Sequence, residues 1–297
     1  MYHEKASSPI DLACPVNWLH PLAPQGGAWF LALPGLLGGA MYHNLCAPLG
    51  NLQDTRHGIL TGSPSWTSTP GRQGGFGGLL GNGSTAYVNC GTNSNVVISG
   101  PLTLSMWWRT NGNYVNYRSL FTSCNSTGTS SCFATTFDFG STGKLEWWQT
   151  NAGPTLTGTT AFSTDAWRHV TFVRSGGTGA WGLAIYVNGK LDASSTTATN
   201  PQSAAANSAS IGRFGAYPTG YYFRDWLDDI CIEPKARSAA EVMQKYQLSL
   251  SYYPGLLRRV RTWGLGVGAA AGIFDRGVMT GGRLGGQRSG ILTGGRM

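Results

Sequence analysis

The chain has 297 residues, enough for one large or two small domains with a sizeable core, and it is rich in glycine (44 residues) and poor in charge (11%). The net charge of +8 is uneven, because residues 251–297 carry seven Arg and one acid while the other 250 residues carry 14 basic and 12 acidic side chains. A nearly neutral body argues against a surface that tracks nucleic acid, so no specific nucleic-acid partner is expected.

The start of the chain predicts neither a standard signal peptide nor a membrane span. Residues 1–16 lack a positive start followed by an apolar run, and we interpret them as an irregular leader. The most apolar stretch, "GAWFLALPGLLGGAM", has about 15 residues and contains Pro34, so it is too short to span a bilayer as a helix.

Short apolar runs between turn residues predict an all-β domain over residues 17–250. The predicted strands, in chain order, are "GAWFLAL", "STAYVNCG", "LTLSMWWRT", "KLEWWQT", "WRHVTFVR", "WGLAIYV", "KLDAS", "ASIGRF" and "DWLDDICI". In the third of them, Leu102 and Trp108 share one face and Trp107 lies on the other. The "NG" between two of the later runs predicts a tight hairpin turn.

The sequence near the end of the domain predicts one short helix, from about Ala239 to Tyr246. Ser238 and Glu241 have the spacing of a capping box, in which each side chain satisfies a backbone N–H of the other residue. Beyond it, residues 251–297 contain 13 Gly and repeat "LTGGR"-like pieces, which predicts a flexible or assembly-docking arm rather than a folded unit.

Several of these pieces together resemble one family. "PLTLSMWWR", "AWRHVTFVR", "IYVNGKLDAS" and "WLDDICIEPKARSAAEV" are similar, in the same order, to motifs of the laminin-G-like, concanavalin A-like domain. The resemblance implies a jelly-roll sandwich of two antiparallel sheets with a short helix after the last strand.

The N-terminal segments "NWLHPLAPQGGAWFLALPGLLGG" and "NLCAPLGNLQDTRHGIL" resemble the opening of laminin-G-like proteins of tailed phages and environmental bacteria. That resemblance implies a non-catalytic structural or adhesion subunit on a virion or extracellular surface. The C-terminal arm would then join it to further copies or to a larger assembly. A soluble carbohydrate-binding module is the alternative, and a glycoside hydrolase is a remote one.

Catalytic residues are not predicted. Retaining glycosidases need two carboxyl groups about 5 Å apart, and Glu146 stands alone on its strand. Trp107, Trp148 and Tyr186 are predicted to lie opposite the core face, where exposed rings could stack on a sugar. The competing interpretation is that loops or a second layer cover these rings.

The adjacent acids Asp228 and Asp229 are predicted to face opposite sides of the last strand, because side chains alternate along a strand. One of them would be buried against backbone N–H groups or an Arg. Together with Ser238 and Glu241 they would form a structural clasp. A metal site is not predicted, because the early loop "GNGSTAYV" lacks the carboxylates that calcium favours. Calcium binding stays open as an alternative.

The six cysteines contain no CxxC motif that would indicate a zinc ribbon. Cys124 and Cys132 flank a Ser/Thr/Gly stretch, which fits either a disulfide across a hairpin or two free thiols.

Overall fold

A computed structural model of the chain describes residues 28–31, 41–44, 58–62, 65–66, 79–81, 83–92, 96–110, 118–125, 132–137, 142–149, 153–163, 166–177, 179–198, 207–214 and 222–249. The predicted domain boundaries at residues 16 and 250 therefore stay predictions, since the leader and the C-terminal arm lie outside these ranges. Within them, no helix is both long and apolar enough to cross a membrane.

The described residues form sixteen strands and one helix, α1, over residues 239–249. The strands are β1 (Ala28–Leu31), β2 (Met41–Asn44), β3 (Gly58–Thr61), β4 (Ser65–Trp66), β5 (Leu79–Leu80), β6 (Tyr87–Gly91), β7 (Leu102–Arg109), β8 (Arg118–Asn125), β9 (Cys132–Phe137), β10 (Lys144–Trp148), β11 (Leu156–Ala161), β12 (Arg168–Gly177), β13 (Ala180–Val187), β14 (Lys190–Thr197), β15 (Asn207–Ile211) and β16 (Trp226–Glu233).

The strands build two antiparallel sheets. Sheet A has the order β14–β13–β12–β7–β16–β1, with β5 and β4 continuing from β16, and sheet B has the order β11–β10–β9–β8–β15–β6–β3–β2. The short pair of β1 and β2 continues one sheet into the other. The predicted sandwich of two antiparallel sheets, with one short helix after the last strand, is confirmed.

The core lies between the sheets and follows the predicted alternation. Leu102, Leu104, Met106 and Trp108 of β7 are all fully buried in it. Trp108 packs on Phe137 of sheet B, with 4.5 Å between the ring centroids. Burial of each such large apolar side chain contributes about 1.5–3 kcal/mol, so these rings are a principal link between the two sheets.

Sheet A is covered on its other face as well. Trp107 Nε1 donates a hydrogen bond to Ser249 Oγ of α1 at 3.2 Å, and its ring lies 6.0 Å from that of Tyr246. Nearby, Val242 of α1 packs on Val173 and Tyr186 of the sheet. Because α1 is a second layer, seven consecutive residues of β7 are buried rather than every second one.

The hairpin turn and the start of α1 follow the local signals. Asn188 and Gly189 connect β13 to β14 with φ of 50° and 77°, as a two-residue turn requires. Ser238 N donates to Glu241 Oε2 at 2.8 Å, and Glu241 N donates to Ser238 Oγ at 3.3 Å. The predicted capping box is thus present, and the helix continues three residues beyond its predicted end.

A β-bulge interrupts the alternation expected along β16. Asp229 has a φ of 52°, in the left-handed region, and the pairing of β16 with β7 shifts register between Asp228 and Cys231. This β-bulge adds one residue, so Leu227 and Ile230 both reach the core although they are three residues apart. Strict alternation would place residues three apart on opposite faces.

Candidate functional site

The three predicted sugar-stacking rings are covered in this structure. Trp107, Trp148 and Tyr186 retain 3%, 4% and 8% of their exposure. Stacking on a sugar needs an accessible ring face. The rings therefore offer no open stacking face in this structure, which agrees with the interpretation that loops or a second layer cover them.

Trp148 belongs to a buried polar cluster on the outer face of sheet B. Its Nε1 donates to Thr136 Oγ1 at 2.9 Å, and its ring meets Phe214 edge-on at 5.4 Å. Thr136 Oγ1 in turn donates to Glu146 Oε2 at 2.9 Å, and Glu146 is 1% exposed. The carboxylate that the sequence left as the only enzymatic candidate on a sheet therefore takes part in a hydrogen-bonded cluster.

Asp225, which the sequence prediction passed over, is the most deeply buried acid described. Arg118 Nη1 donates to Asp225 Oδ1 at 2.6 Å, and Trp108 Nε1 donates to Oδ2 at 3.1 Å. The Arg118 and Asp225 side chains are 1% and 0% exposed. The only sequence signal for Asp225 was an acid at the start of an apolar strand. No local pattern links it to its partner Arg118, because the two residues are 107 positions apart in the chain.

Asp228 and Asp229 lie in the bulge and are 1% and 9% exposed. Asp228 Oδ1 accepts a hydrogen bond from Asp229 N at 2.8 Å, which holds the bulge closed. This contact agrees with one buried carboxylate tied to a backbone N–H. Whether the two acids stabilise the fold as a clasp stays a prediction.

A chain of charged side chains joins β16 to α1. Glu233 accepts from Arg237 at 2.5 Å and also contacts Lys245 Nζ, while Arg237 Nη1 donates to Glu241 at 2.9 Å. Burial lowers the pKa of Arg237, but hydrogen bonds and charges from the two glutamates outweigh it and raise that pKa overall. The hydrogen bond from Lys235, followed by that from the backbone of Ser238, lowers the pKa of Glu241 to about 2.

The cysteines are described only in part. Cys124 and Cys132 are direct backbone partners across the antiparallel pair of β8 and β9. A disulfide between them stays a prediction, now with a compatible register. Cys90 and Cys231 are both buried thiols.

A cleft of about 630 Å³ opens between the outer face of β12–β14 and the start of α1. The register places Ser175, Gly182, Ala184, Ser194 and Thr196 side by side on its floor. Its wall is made by Tyr186 and, around the start of α1, by Ala236, Arg237, Ser238, Ala239 and Glu241. Its volume falls in the rough range of 300 to 1,000 Å³ found for small-ligand sites, and the cleft is largely open to solvent.

The cleft offers hydroxyl groups and a phenol, and the charges in its wall are paired. Arg237 and Glu241 contact each other at 2.9 Å. Burial raises the pKa of the Tyr186 hydroxyl, so it stays protonated and able to donate at neutral pH. Among the described residues, no three His, Cys, Asp or Glu side chains come together as a metal site would require.

The comparisons with known proteins agree with the fold. A family model for the concanavalin A-like lectin/glucanases superfamily, of laminin G type, matches residues 82–243. The chain belongs to this family. No curated protein matches the chain significantly.

Solved structures with the same fold are distant in sequence. The chain is similar to a Trypanosoma rangeli sialidase solved with sialic acid, at 13% identity and a TM-score of 0.54 over 76% of this chain and 33% of that one. It is also similar to domain 4 of AbnA, an extracellular GH43 arabinanase of Geobacillus stearothermophilus solved with arabinotriose, at 18% identity and a TM-score of 0.48 over 63% of this chain and 82% of that domain. The chain thus spans about one third of the sialidase. Similarity at these identities concerns the fold alone.

Proposed function

We propose that this chain is a non-catalytic adhesion module that binds a neutral glycan in the cleft between β12–β14 and α1. The observation that carries the proposal is the cleft floor itself, where three hydroxyl side chains, Ser175, Ser194 and Thr196, lie beside Tyr186 on adjoining strands. Hydroxyl groups both donate and accept hydrogen bonds, which suits the hydroxyl-covered surface of a sugar.

The charges of the cleft favour a neutral ligand over an acidic one. Arg237 is its deepest cation, and both Glu233 and Glu241 already contact it. An anionic sugar would have to compete with two carboxylates for this guanidinium, and repulsion from them would add to the cost. A neutral sugar needs only the hydroxyls and the phenol.

The hydrogen bonds and ion pairs of the buried acids support a function without catalysis. Asp225 is held by Arg118, Glu233 by Arg237 and Lys245, and Glu146 receives a hydrogen bond from Thr136. Glycosidase chemistry needs two carboxyl groups flanking one accessible sugar position. These three acids are each 1% exposed or less.

We also propose that the module is displayed on a virion or extracellular surface within a larger assembly. Its support comes from the sequence alone: the N-terminal resemblance and the composition of residues 251–297. Deletion of residues 251–297 should leave glycan binding intact and abolish incorporation into particles or oligomers, measured by co-sedimentation and light scattering. Unchanged incorporation would contradict this part without touching the glycan proposal.

The glycan proposal is tested by binding to an array of neutral and sialylated glycans, followed by calorimetric titration of the best neutral binder. Thr196→Val removes one floor hydroxyl with little change in shape, and Ala184→Leu fills the floor. Thr157→Val, at an exposed threonine of β11 away from the cleft, is the matched control. Both cleft variants should weaken binding at least about tenfold, equivalent to about 1.4 kcal/mol, and the control should not.

A further inference from the structure

A cysteine and a lysine face each other beneath α1. Lys245 Nζ lies 3.2 Å from Cys231 Sγ of β16. Glu233 completes the group, with its Oε1 in contact with Lys245 Nζ and 3.8 Å from Cys231 Sγ. Cys231 is 3% exposed and the lysine side chain 15%, so the pair is enclosed by the sheet and the helix.

The ammonium group of Lys245 lies directly beside the sulfur of Cys231. A thiolate is stabilised by an adjacent ammonium group, and the thiolate is the form that oxidants attack. Burial opposes the charge on Lys245, but the charges of Cys231 and Glu233 outweigh burial and raise its pKa. Cys90 differs, because burial is the main influence there and raises the pKa of its thiol.

We propose that Cys231 and Lys245 form a reversible covalent N–O–S crosslink when the protein meets molecular oxygen. The crosslink would join the last strand of sheet A to α1. This proposal does not depend on whether the cleft binds a ligand.

The reaction balances from the ion-paired form. One thiolate and one ammonium react with one O₂: the O–O bond breaks, an S–O bond and an O–N bond form, and one oxygen stays as the bridge. The other oxygen leaves as water with two of the three ammonium hydrogens, and the third hydrogen stays on nitrogen. Sulfur and nitrogen each lose two electrons, which together supply the four that reduce O₂. Glu233 is placed to relay the protons, since it contacts the amine.

The geometry favours insertion of an oxygen over a direct bond. The two atoms are already at van der Waals or hydrogen-bonding distance, 3.2 Å apart. An N–O–S bridge holds nitrogen and sulfur farther apart than a direct S–N bond does, so it requires the smaller approach of the two atoms. The packed contacts of Trp107 and Val242 hold α1 against the sheet and oppose any larger approach that involves the helix.

The test is peptide mass spectrometry of the full chain, purified either in air or under anaerobic reducing conditions. Trypsin should release residues 225–235, which contain Cys231, and should cut after Lys245 only when that amine is free. In the aerobic sample we expect residues 225–235 joined to residues 238–258, with one oxygen more and two hydrogens fewer than the sum of the two peptides. Dithiothreitol should separate them, because sulfur at this oxidation level is reduced by thiols.

Two variants and one internal comparison decide the assignment. Cys231→Ser keeps the lysine, and Lys245→Arg keeps a positive charge beside Glu233; both should abolish the joined peptide. The peptide that contains Cys90 should stay unlinked in every sample. Recovery of Cys231 as a thiol, or as a sulfinic acid with Lys245 cleaved normally, in the aerobic wild-type sample would overturn the proposal, as would a link that lacks the added oxygen.

Discussion

The buried ion pair of Arg118 and Asp225 yields the sharpest stability prediction. Both side chains are at most 1% exposed, and the guanidinium and carboxylate are 2.6 Å apart. Asp225→Asn removes the negative charge and leaves the positive one buried without its counter-charge, which typically costs about 3–5 kcal/mol. The new amide oxygen can still accept from Trp108 Nε1, so we expect a loss near the lower end, about 3 kcal/mol.

The assay is urea unfolding at neutral pH, followed by tryptophan fluorescence. The control is the same Asp→Asn change at Asp192, a partly exposed acid that accepts from Thr159 N at 3.0 Å and Thr160 N at 3.1 Å, where we expect a loss of about 1 kcal/mol. Replacement of both partners, with Arg118→Met and Asp225→Leu together, should cost less than the sum of the two single changes. A loss under about 1 kcal/mol for Asp225→Asn, or strict additivity in the double variant, would refute the reasoning.

Two further predictions concern β16 and α1. The pKa of Glu241 falls from its ordinary 4.5 to about 2 in the folded protein, so the charged carboxylate stabilises the fold above about pH 4.5, and this contribution is lost as the pH falls toward 2. Glu241→Gln should therefore lower the free energy of unfolding by about 1–2 kcal/mol at neutral pH and by almost nothing near pH 2. Urea titrations across that pH range measure this difference. A difference that is independent of pH would contradict the lowered pKa of Glu241. Asp228→Ala should cost about 1–2 kcal/mol because it frees the buried N–H of Asp229, whereas Asp229→Gly should cost less because glycine adopts a positive φ without strain. The opposite order of these two effects in thermal unfolding would show that the bulge is not held by Asp228.

Local signals in the sequence predicted much of the fold. The core face of β7, the turn at Asn188 and the capping box at Ser238 each depend on neighbours within a few residues, and all are present. The polar strands β8, β9 and β11 were not predicted, because Ser/Thr-rich runs carry little apolar alternation.

The candidate site could not be predicted in the same way. Alternation indicates which face a ring such as Trp107 occupies, but the cover over it comes from α1, 142 residues later. The cleft floor likewise takes its shape from the register of three strands against a helix start, and no sequence pattern encodes that juxtaposition. The bulge at Asp229 changes the faces of β16 by a single extra residue, which strict alternation cannot anticipate.

The most direct test of the central claim is calorimetric titration of the full chain with the neutral oligosaccharide that binds best on the array. We expect a single site with a Kd of about 1 mM or tighter, weakened at least about tenfold by Thr196→Val and unchanged by Thr157→Val. Binding that is equally strong in Thr196→Val and Ala184→Leu, with both variants folded by circular dichroism, would contradict the cleft as the glycan site. No binding to any neutral glycan would contradict the glycan-binding function itself.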